Sequence, residues 1–366
     1  MWMHCASLGE FEQGRPLLEN IRKRFPHYSI VLTFFSPSGY EIRKIYPGAD
    51  AIFYLPMDGK NNAIKFIEEI QPDLVLWIKY EYWYHYLNTL KIKKIPVLLV
   101  SGIFRESQPF FQWYGKIWKE MLTVFTHLFV QNESSFQLIK KLVPGKVSHN
   151  GDTRFDRVKD IAENFKEIPQ IEQFCGNSKV VVAGSTWEED ESCLIHYVKI
   201  HPEIKFIIAP HEIDIEHIKE LRKKFKTALL YSQLAENPET NADHNVLIID
   251  NIGMLSRLYC YAMVTYVGGG FNSSGIHNVL EAAVYGRPVV FGPVYEKFTE
   301  AKALVEMEGG FSIKNAVELE KILDELFASK DKLYRSSQAA KDFVSSKTGA
   351  TAHIMNYIAE KRLLIS

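Results

Sequence analysis

Cysteine is scarce in this chain: Cys5, Cys175, Cys193 and Cys260 lie far apart and share no metal-ligand spacing. That excludes a disulfide framework or thiolate zinc site legible in the sequence and makes a reduced, cytosolic setting the default. No apolar run approaches the roughly 18 residues that a membrane-spanning helix needs, and no signal peptide is visible. Low-complexity tracts are missing, and charge is balanced, with 43 Lys and Arg against 44 Asp and Glu. No G-x-G-x-x-G follows an early strand, and the triple glycine Gly268-Gly269-Gly270 lacks an acidic residue about 20 positions on, which disfavours a dinucleotide oxidoreductase.

What is there is a soluble, globular composition over 366 residues, 46% hydrophobic, long enough for two domains. Short apolar runs alternate with amphipathic stretches from Trp2–Ala6 through Phe311–Ile313, the pattern of βα units and parallel sheets. The polar stretch from Asp156 to Ser178 separates two such series. The expected organisation is a first domain over 1–155, a linker over 156–178, a second domain over 179–330, and helices over 331–366 that pack back on the first. Both domains read as Rossmann-like, doubly wound sheets. Ligands of open α/β sheets bind beyond the carboxyl ends of the strands, so a cleft between two facing sheets is the expected active site. Residues 1–155 carry 19 Lys and Arg against 14 Asp and Glu, a mild surplus that suits an anionic partner or, equally simply, a solvated surface. The chain opens abruptly on a strand, which leads us to expect a missing upstream segment.

Several strand ends carry chemistry-bearing residues. Glu10, in Ala6-Ser7-Leu8-Gly9-Glu10, is either a carboxylate balancing a helix dipole or a general base for an incoming hydroxyl. Gly184-Ser185-Thr186 precedes a helix, and its N–H groups and hydroxyls suit a phosphate, although Thr186 with Glu189 also reads as a capping box. Pro210-His211 ends another strand. Asp250-Asn251-Ile252-Gly253-Met254 reads as a turn able to meet a base edge, or as a plain Asx turn. Gly268 to Ala283 reads as strand, glycine turn and helix start, with Glu281 placed to accept hydrogen bonds from ribose hydroxyls. Two aromatic-rich stretches, 80–86 and 104–114, suit either a lipid headgroup boundary or core packing.

Taken in order, these motifs resemble the 3-deoxy-D-manno-octulosonic acid (Kdo) transferases of lipid A assembly, inverting glycosyltransferases of the GT-B fold. The resemblance covers nearly the whole chain and rests on Ala6 to Glu10, Ser36-Pro37-Ser38-Gly39-Tyr40, Gly184-Ser185-Thr186, and the run from Asp250 through Tyr261 and Gly268-Gly269 to His277-Asn278 and Leu280-Glu281. It implies a CMP-Kdo donor, a lipid A precursor (lipid IVA) as acceptor, and work at the cytoplasmic face of the bacterial inner membrane. It implies Glu10 as catalytic base. Gly184, Ser185, Thr186, Pro210, His211, Asn251, Gly253, Met254, Ser274, Asn278 and Glu281 are implied on the nucleotide side, and Gly9, Ser38 and Arg105 toward the acceptor or a sugar carboxylate. Many members place an arginine between the proline and histidine that are adjacent here as Pro210-His211, have paired glycines where this chain has Gly275-Ile276, and begin with an apolar anchor.

A CMP leaving group carries one phosphate, so helix starts and hydroxyls are expected to stabilise it with neither a metal nor a cofactor. No nucleic-acid partner is expected. The alternatives are a GT-B transferase using a UDP-sugar, a nucleotide-sugar epimerase of the same architecture, and a non-catalytic sugar-nucleotide sensor.

Overall fold

The computed structural model describes residues 1–79, 81–226, 228–237 and 244–365. The chain divides into two compact units, Met1–Arg157 with Lys347–Ser366, and Val158–Ser346. The first is built on β1 (Trp2–Cys5), β2 (Val31–Phe34), β3 (Ala51–Tyr54), β4 (Val75–Ile78), β5 (Val97–Gly102), β6 (His127–Val130) and β7 (Val147–His149). All pair in parallel, in the order β3-β2-β1-β4-β5-β6-β7.

Alternation sends the two faces of these strands into separate cores. Met3, Cys5, Leu32, Leu76 and Ile78 pack beneath the helix Leu8–Arg24, while Trp2, Val75, Trp77, Val97 and Leu99 face the opposite layer. Near-continuous apolar strands follow from covering both faces of a parallel sheet.

The second unit repeats the plan with β8 (Lys179–Thr186), β9 (Ile204–Pro210), β10 (Ala228–Leu230), β11 (Val246–Ile248), β12 (Val264–Val267), β13 (Val289–Phe291) and β14 (Gly310–Ser312). Its parallel order is β10-β11-β9-β8-β12-β13-β14. The order therefore reverses between β1 and β4 in one sheet and between β8 and β12 in the other. Those two reversals open a crevice at the carboxyl ends of the flanking strands.

Domain bounds differ from the sequence expectation in two places. The stretch 156–178 is no extended linker: helices Thr153–Glu163 and Pro169–Cys175 occupy it, and Ile171 and Phe174 are buried. The helical run after 331 is also divided. Lys330–Ser345 buries Ala340, Phe343 and Val344 in the second unit, and only Ala350–Glu360 joins the first, setting Ile354 and Ile358 into the core beside Leu17 and Ile21. Gly349, at φ +113°, makes the break between them.

Gly349 has no side chain to cap the helix it precedes, and Asp156 does that work. Its carboxylate accepts the Gly349 and Thr351 N–H groups, each at 2.6 Å. Asp156→Ala is expected to destabilise the first unit by about 1–2 kcal/mol and to speed amide exchange over 350–360. Denaturant unfolding and hydrogen exchange measure this, and unchanged exchange there would refute the capping role.

Candidate functional site

At the end of β1 the chain turns directly into the helix Leu8–Arg24, which places Glu10 inside the first turn. The N-cap, Ser7, makes no side-chain capping bond. Glu10 instead folds back, Oε2 accepting the Ala6 N–H at 2.6 Å, and is only 8% exposed. The carboxylate thus satisfies the N–H of the residue before the N-cap while held at the mouth of the β1 crevice.

The Ala6 carbonyl accepts from Phe35 and Ser36, which ties the β1 turn to the loop after β2. There Ser36 caps the helix Pro37–Arg43, and Ser38 stands exposed with its hydroxyl 2.9 Å from Ser36 Oγ. Gly9 is exposed, and an added methyl group would meet no described atom within 4 Å, so packing does not require glycine there. Arg105 lies exposed beyond β5, its backbone N–H donating to Gln108 Oε1 at 3.0 Å.

In the second unit the loops after β8, β9 and β12 are laced together through their backbones. Gly268 N–H donates to the Gly184 carbonyl (2.9 Å), His277 N–H to Gly268 (3.0 Å), and His211 N–H to Thr186 (2.9 Å). A side chain at Gly268 would run into the Ser185 carbonyl, its Cβ only 2.2 Å away, and Gly269 sits at φ +90°. Ser185 itself is left-handed at φ +52°, as are Lys79 and Ser101 at the ends of β4 and β5. Non-glycine residues held there cost about 1–3 kcal/mol each and cluster at functional sites.

Asp190 fastens this turn. Fully buried, it accepts from Tyr266 Oη (2.7 Å), Gly269 N–H (2.8 Å) and Trp187 N–H (2.9 Å). Burial raises its pKa, and the three donors oppose that. The cap is therefore one residue beyond the Thr186 and Glu189 pair read from sequence. Thr186 is turned aside as well: its hydroxyl donates to buried Glu191 at 3.2 Å, and His217 Nε2 lies 2.9 Å from the same Glu191 oxygen.

The helix Glu188–Ile200 carries Glu188, Glu189, Asp190 and Glu191 in its first turn. Four carboxylates already answer that helix dipole, so its start is a poor anion cradle. A phosphate would have to rely on the turn N–H groups and Ser185. The second expected helix start, Leu280–Ala283, is only one turn long.

That turn nevertheless joins two expected residues, Asn278 Nδ2 donating to Glu281 Oε1 at 3.1 Å. Gly184 is drawn against the segment after β11, a Cβ there falling within 2.4 Å of Leu255 and Tyr259. Met254 is buried beside that contact, while Asn251 and Gly253 are exposed. Ser274 is exposed too, its N–H donating to Asn272 Oδ1 at 2.9 Å.

Pro210 ends β9 buried, and the exposed His211 ring stacks on Trp187 (centroids 4.6 Å) and lies tilted against His277 (4.5 Å). Trp187 Nε1 donates to His277 Nε2 at 3.1 Å, which requires that nitrogen to be unprotonated. Asp190, Trp187 and the His277 contact escaped the sequence reading. The dense acidic start of the helix was the one available signal.

Residues 1–157 match the family model for 3-deoxy-D-manno-octulosonic-acid transferase. The transferase of that name from Aquifex aeolicus is 27% identical over 342 residues, spanning 91% of this chain and 87% of its own length. That of Haemophilus influenzae is 26% identical over 373 residues, spanning 98% and 86%. The chain is thus similar to Kdo transferases along nearly its whole length, a likeness that indicates a glycosyltransferase. A bifunctional glycosyltransferase/methyltransferase of Fusobacterium nucleatum is 28% identical over 88% of this chain, which spans about half (52%) of that longer relative.

Among solved structures, UDP-GlcNAc 2-epimerase of Neisseria meningitidis bound to UDP-GlcNAc matches with TM-score 0.67 at 16% identity, covering 98% of this chain and 99% of that one. MurG of Acinetobacter baumannii matches with TM-score 0.57 at 12% identity, covering 98% and 99%. At such identities the likeness establishes the fold, two seven-stranded α/β units of GT-B type.

Burial, then His211, lowers the His277 pKa to about 4, against about 6.5 unfolded. The native state therefore resists protonation. The stability conferred by the neutral ring is full above about pH 6.5 and is lost as pH falls toward 4, at somewhat less than the roughly 1.4 kcal/mol per pH unit of a fully buried site. Denaturant melts at pH 7 and pH 5 are expected to show a larger loss for the natural protein than for His277→Gln. Equal losses would contradict a neutral His277.

Proposed function

We propose that this chain transfers Kdo from CMP-Kdo to a sugar hydroxyl of a lipid A precursor, with inversion at the transferred carbon. The observation that carries the reading is the fixed placement of Glu10 at the β1 crevice, in a chain similar to Kdo transferases along nearly its whole length. The acceptor hydroxyl attacks the anomeric carbon on the face opposite CMP, its proton passes to Glu10, and the carbon–oxygen bond to CMP breaks as the phosphate takes the electron pair. The transition state is oxocarbenium-like. The Ala6 N–H holds the Glu10 carboxylate aimed before the acceptor arrives.

The nucleotide is assigned to the second unit. The turn at Gly184 to Thr186, with the Ser185 hydroxyl, and the Gly270 N–H face the phosphate, and Asn278 with Glu281 meets the ribose. The exposed imidazole of His211, braced by two rings, adds a donor beside the phosphate. Asn251, Gly253 and Met254 approach the base, and Ser274 closes the glycine loop. Gly9 leaves room for the acceptor, and Ser38 and Arg105 supply polar contacts to it.

No helix among the described residues is long and apolar enough to cross a membrane. The first unit instead presents Trp113, 93% exposed, with Tyr114 and Ile117 exposed beside Lys116 and Lys119. Rings interleaved with lysines suit the headgroup layer of an anionic membrane surface, where the acceptor lipid resides. The companion stretch 80–86 differs: Tyr80 lies outside the described residues, while Tyr86 is buried and Tyr82 packs on Phe110.

Purified protein incubated with CMP-Kdo and a tetraacylated lipid A precursor is expected to give a lipid heavier by one or more Kdo units in mass spectrometry. Glu10→Gln is expected to lower the rate by roughly 100- to 10,000-fold while calorimetric CMP binding is retained. Trp113→Ala with Lys116→Glu is expected to lower transfer on anionic vesicles and spare it in detergent. A changed sugar released without acceptor would favour the epimerase reading, and loss of CMP binding in Glu10→Gln would remove Glu10 as the base.

A further inference from the structure

A second carboxylate occupies the first crevice. Glu81 follows β4, the strand on the far side of the order reversal from β1. Its Oε2 lies 2.9 Å from Nε2 of His4 and accepts from Trp83 Nε1 at 2.7 Å. Its carbonyl accepts from Trp77 Nε1. Three ring nitrogens thus fix both the backbone and one carboxylate oxygen. Oε1 makes no hydrogen bond among the described residues, on a side chain 23% exposed.

His4 is completely buried in β1, an unusual place for an imidazole unless both nitrogens are satisfied. Nδ1 lies 2.9 Å from Thr33 Oγ1, which already accepts the Trp2 indole N–H at 2.8 Å. The arrangement closes with one assignment: Thr33 uses its own proton toward His4 Nδ1, and His4 carries its proton on Nε2, pointing at Glu81. Trp77 packs against the His4 ring, tilted at 53° with centroids 4.8 Å apart.

A fastening for the loop after β4 would work equally well with a glutamine. Burial lowers the His4 pKa despite the adjacent carboxylate, so the ring is neutral and does not cancel the charge of Glu81. That charge stays at the crevice. Glu10 and Glu81 both act on the Cys5 thiol, whose pKa burial raises first and these carboxylates, with Glu12, raise further. The local field favours neutral hydrogen-bond donors over phosphates.

Building on the transferase reading, we propose that Glu81 Oε1 receives a hydroxyl of the acceptor sugar and orients it toward Glu10, and that His4 is the positioning residue that holds Glu81 for this. The two residues act as one unit.

The test is steady-state transfer with CMP-Kdo and the lipid A precursor, accompanied by calorimetric CMP binding and thermal melts. Glu81→Gln, an isosteric change on a partly exposed loop, is expected to fold and to lower kcat/KM for the acceptor about 10- to 100-fold, with KM for CMP-Kdo and CMP affinity unchanged. His4→Asn, too short to reach Glu81, is expected to show the same split. His4→Gln, which returns an amide N–H near the Nε2 position, is expected to recover most of that loss. The double variant His4→Asn with Glu81→Gln is expected to be no worse than Glu81→Gln alone. Wild-type transfer with Glu81→Gln keeping its acceptor kcat/KM would overturn this inference alone. So would losses at His4 and Glu81 that multiply. Absence of transfer by the wild-type protein would overturn the functional reading and this inference together.

Discussion

Everything in the two units that bears on function depends on where the order of their parallel strands reverses. All strands of a parallel sheet point the same way, so their carboxyl-end loops gather on one edge. At the reversals, between β1 and β4 and between β8 and β12, neighbouring strands send their connections to opposite faces and leave the crevice open. Glu10 and Glu81 flank the first reversal, and Ser185 and Gly268 to Gly270 flank the second. Among the described residues, three of the seven non-glycine residues in the left-handed region, Lys79, Ser101 and Ser185, stand at the ends of β4, β5 and β8.

The two crevices are built by different chemistry. The first is acidic, with carboxylates fixed by an amide at Glu10 and by ring nitrogens at Glu81. The second is a weave of backbone hydrogen bonds around glycines, fastened beneath by buried Asp190. A carboxylate suits proton removal from a hydroxyl, and a glycine turn suits close approach of a phosphate. This division of labour is what a transfer between a nucleotide-linked sugar and a hydroxyl requires. The same architecture in UDP-GlcNAc 2-epimerases shows that fold alone does not choose the reaction.

Much of this was legible in the sequence. The alternation of apolar runs with amphipathic stretches gives two parallel-sheet units, and the motifs at strand ends carry the resemblance to the Kdo transferases. The errors have local causes. Helical stripes at Ile171 and Phe174 were masked by the charged residues around them, which made 156–178 read as a linker. The helical pattern of 331–364 gives no sign of changing units, a switch made by Gly349 and the Asp156 carboxylate. The cap at Asp190 is one position from the pair that the capping-box rule selects, in a turn with four acidic candidates. The His4 and Glu81 contact joins residues 77 apart, and no single-sequence pattern links a strand histidine to a loop that distant.

The central claim is that the crevice between β8 and β12 is the nucleotide site. A crystal structure with CMP-Kdo tests it most directly. The account places the phosphate against the turn at Gly184 to Thr186 and the Gly270 N–H, away from the acidic start of Glu188–Ile200, with the ribose at Asn278 and Glu281. Ordered CMP on any other part of the second unit, or with its phosphate at that acidic helix start, would contradict it.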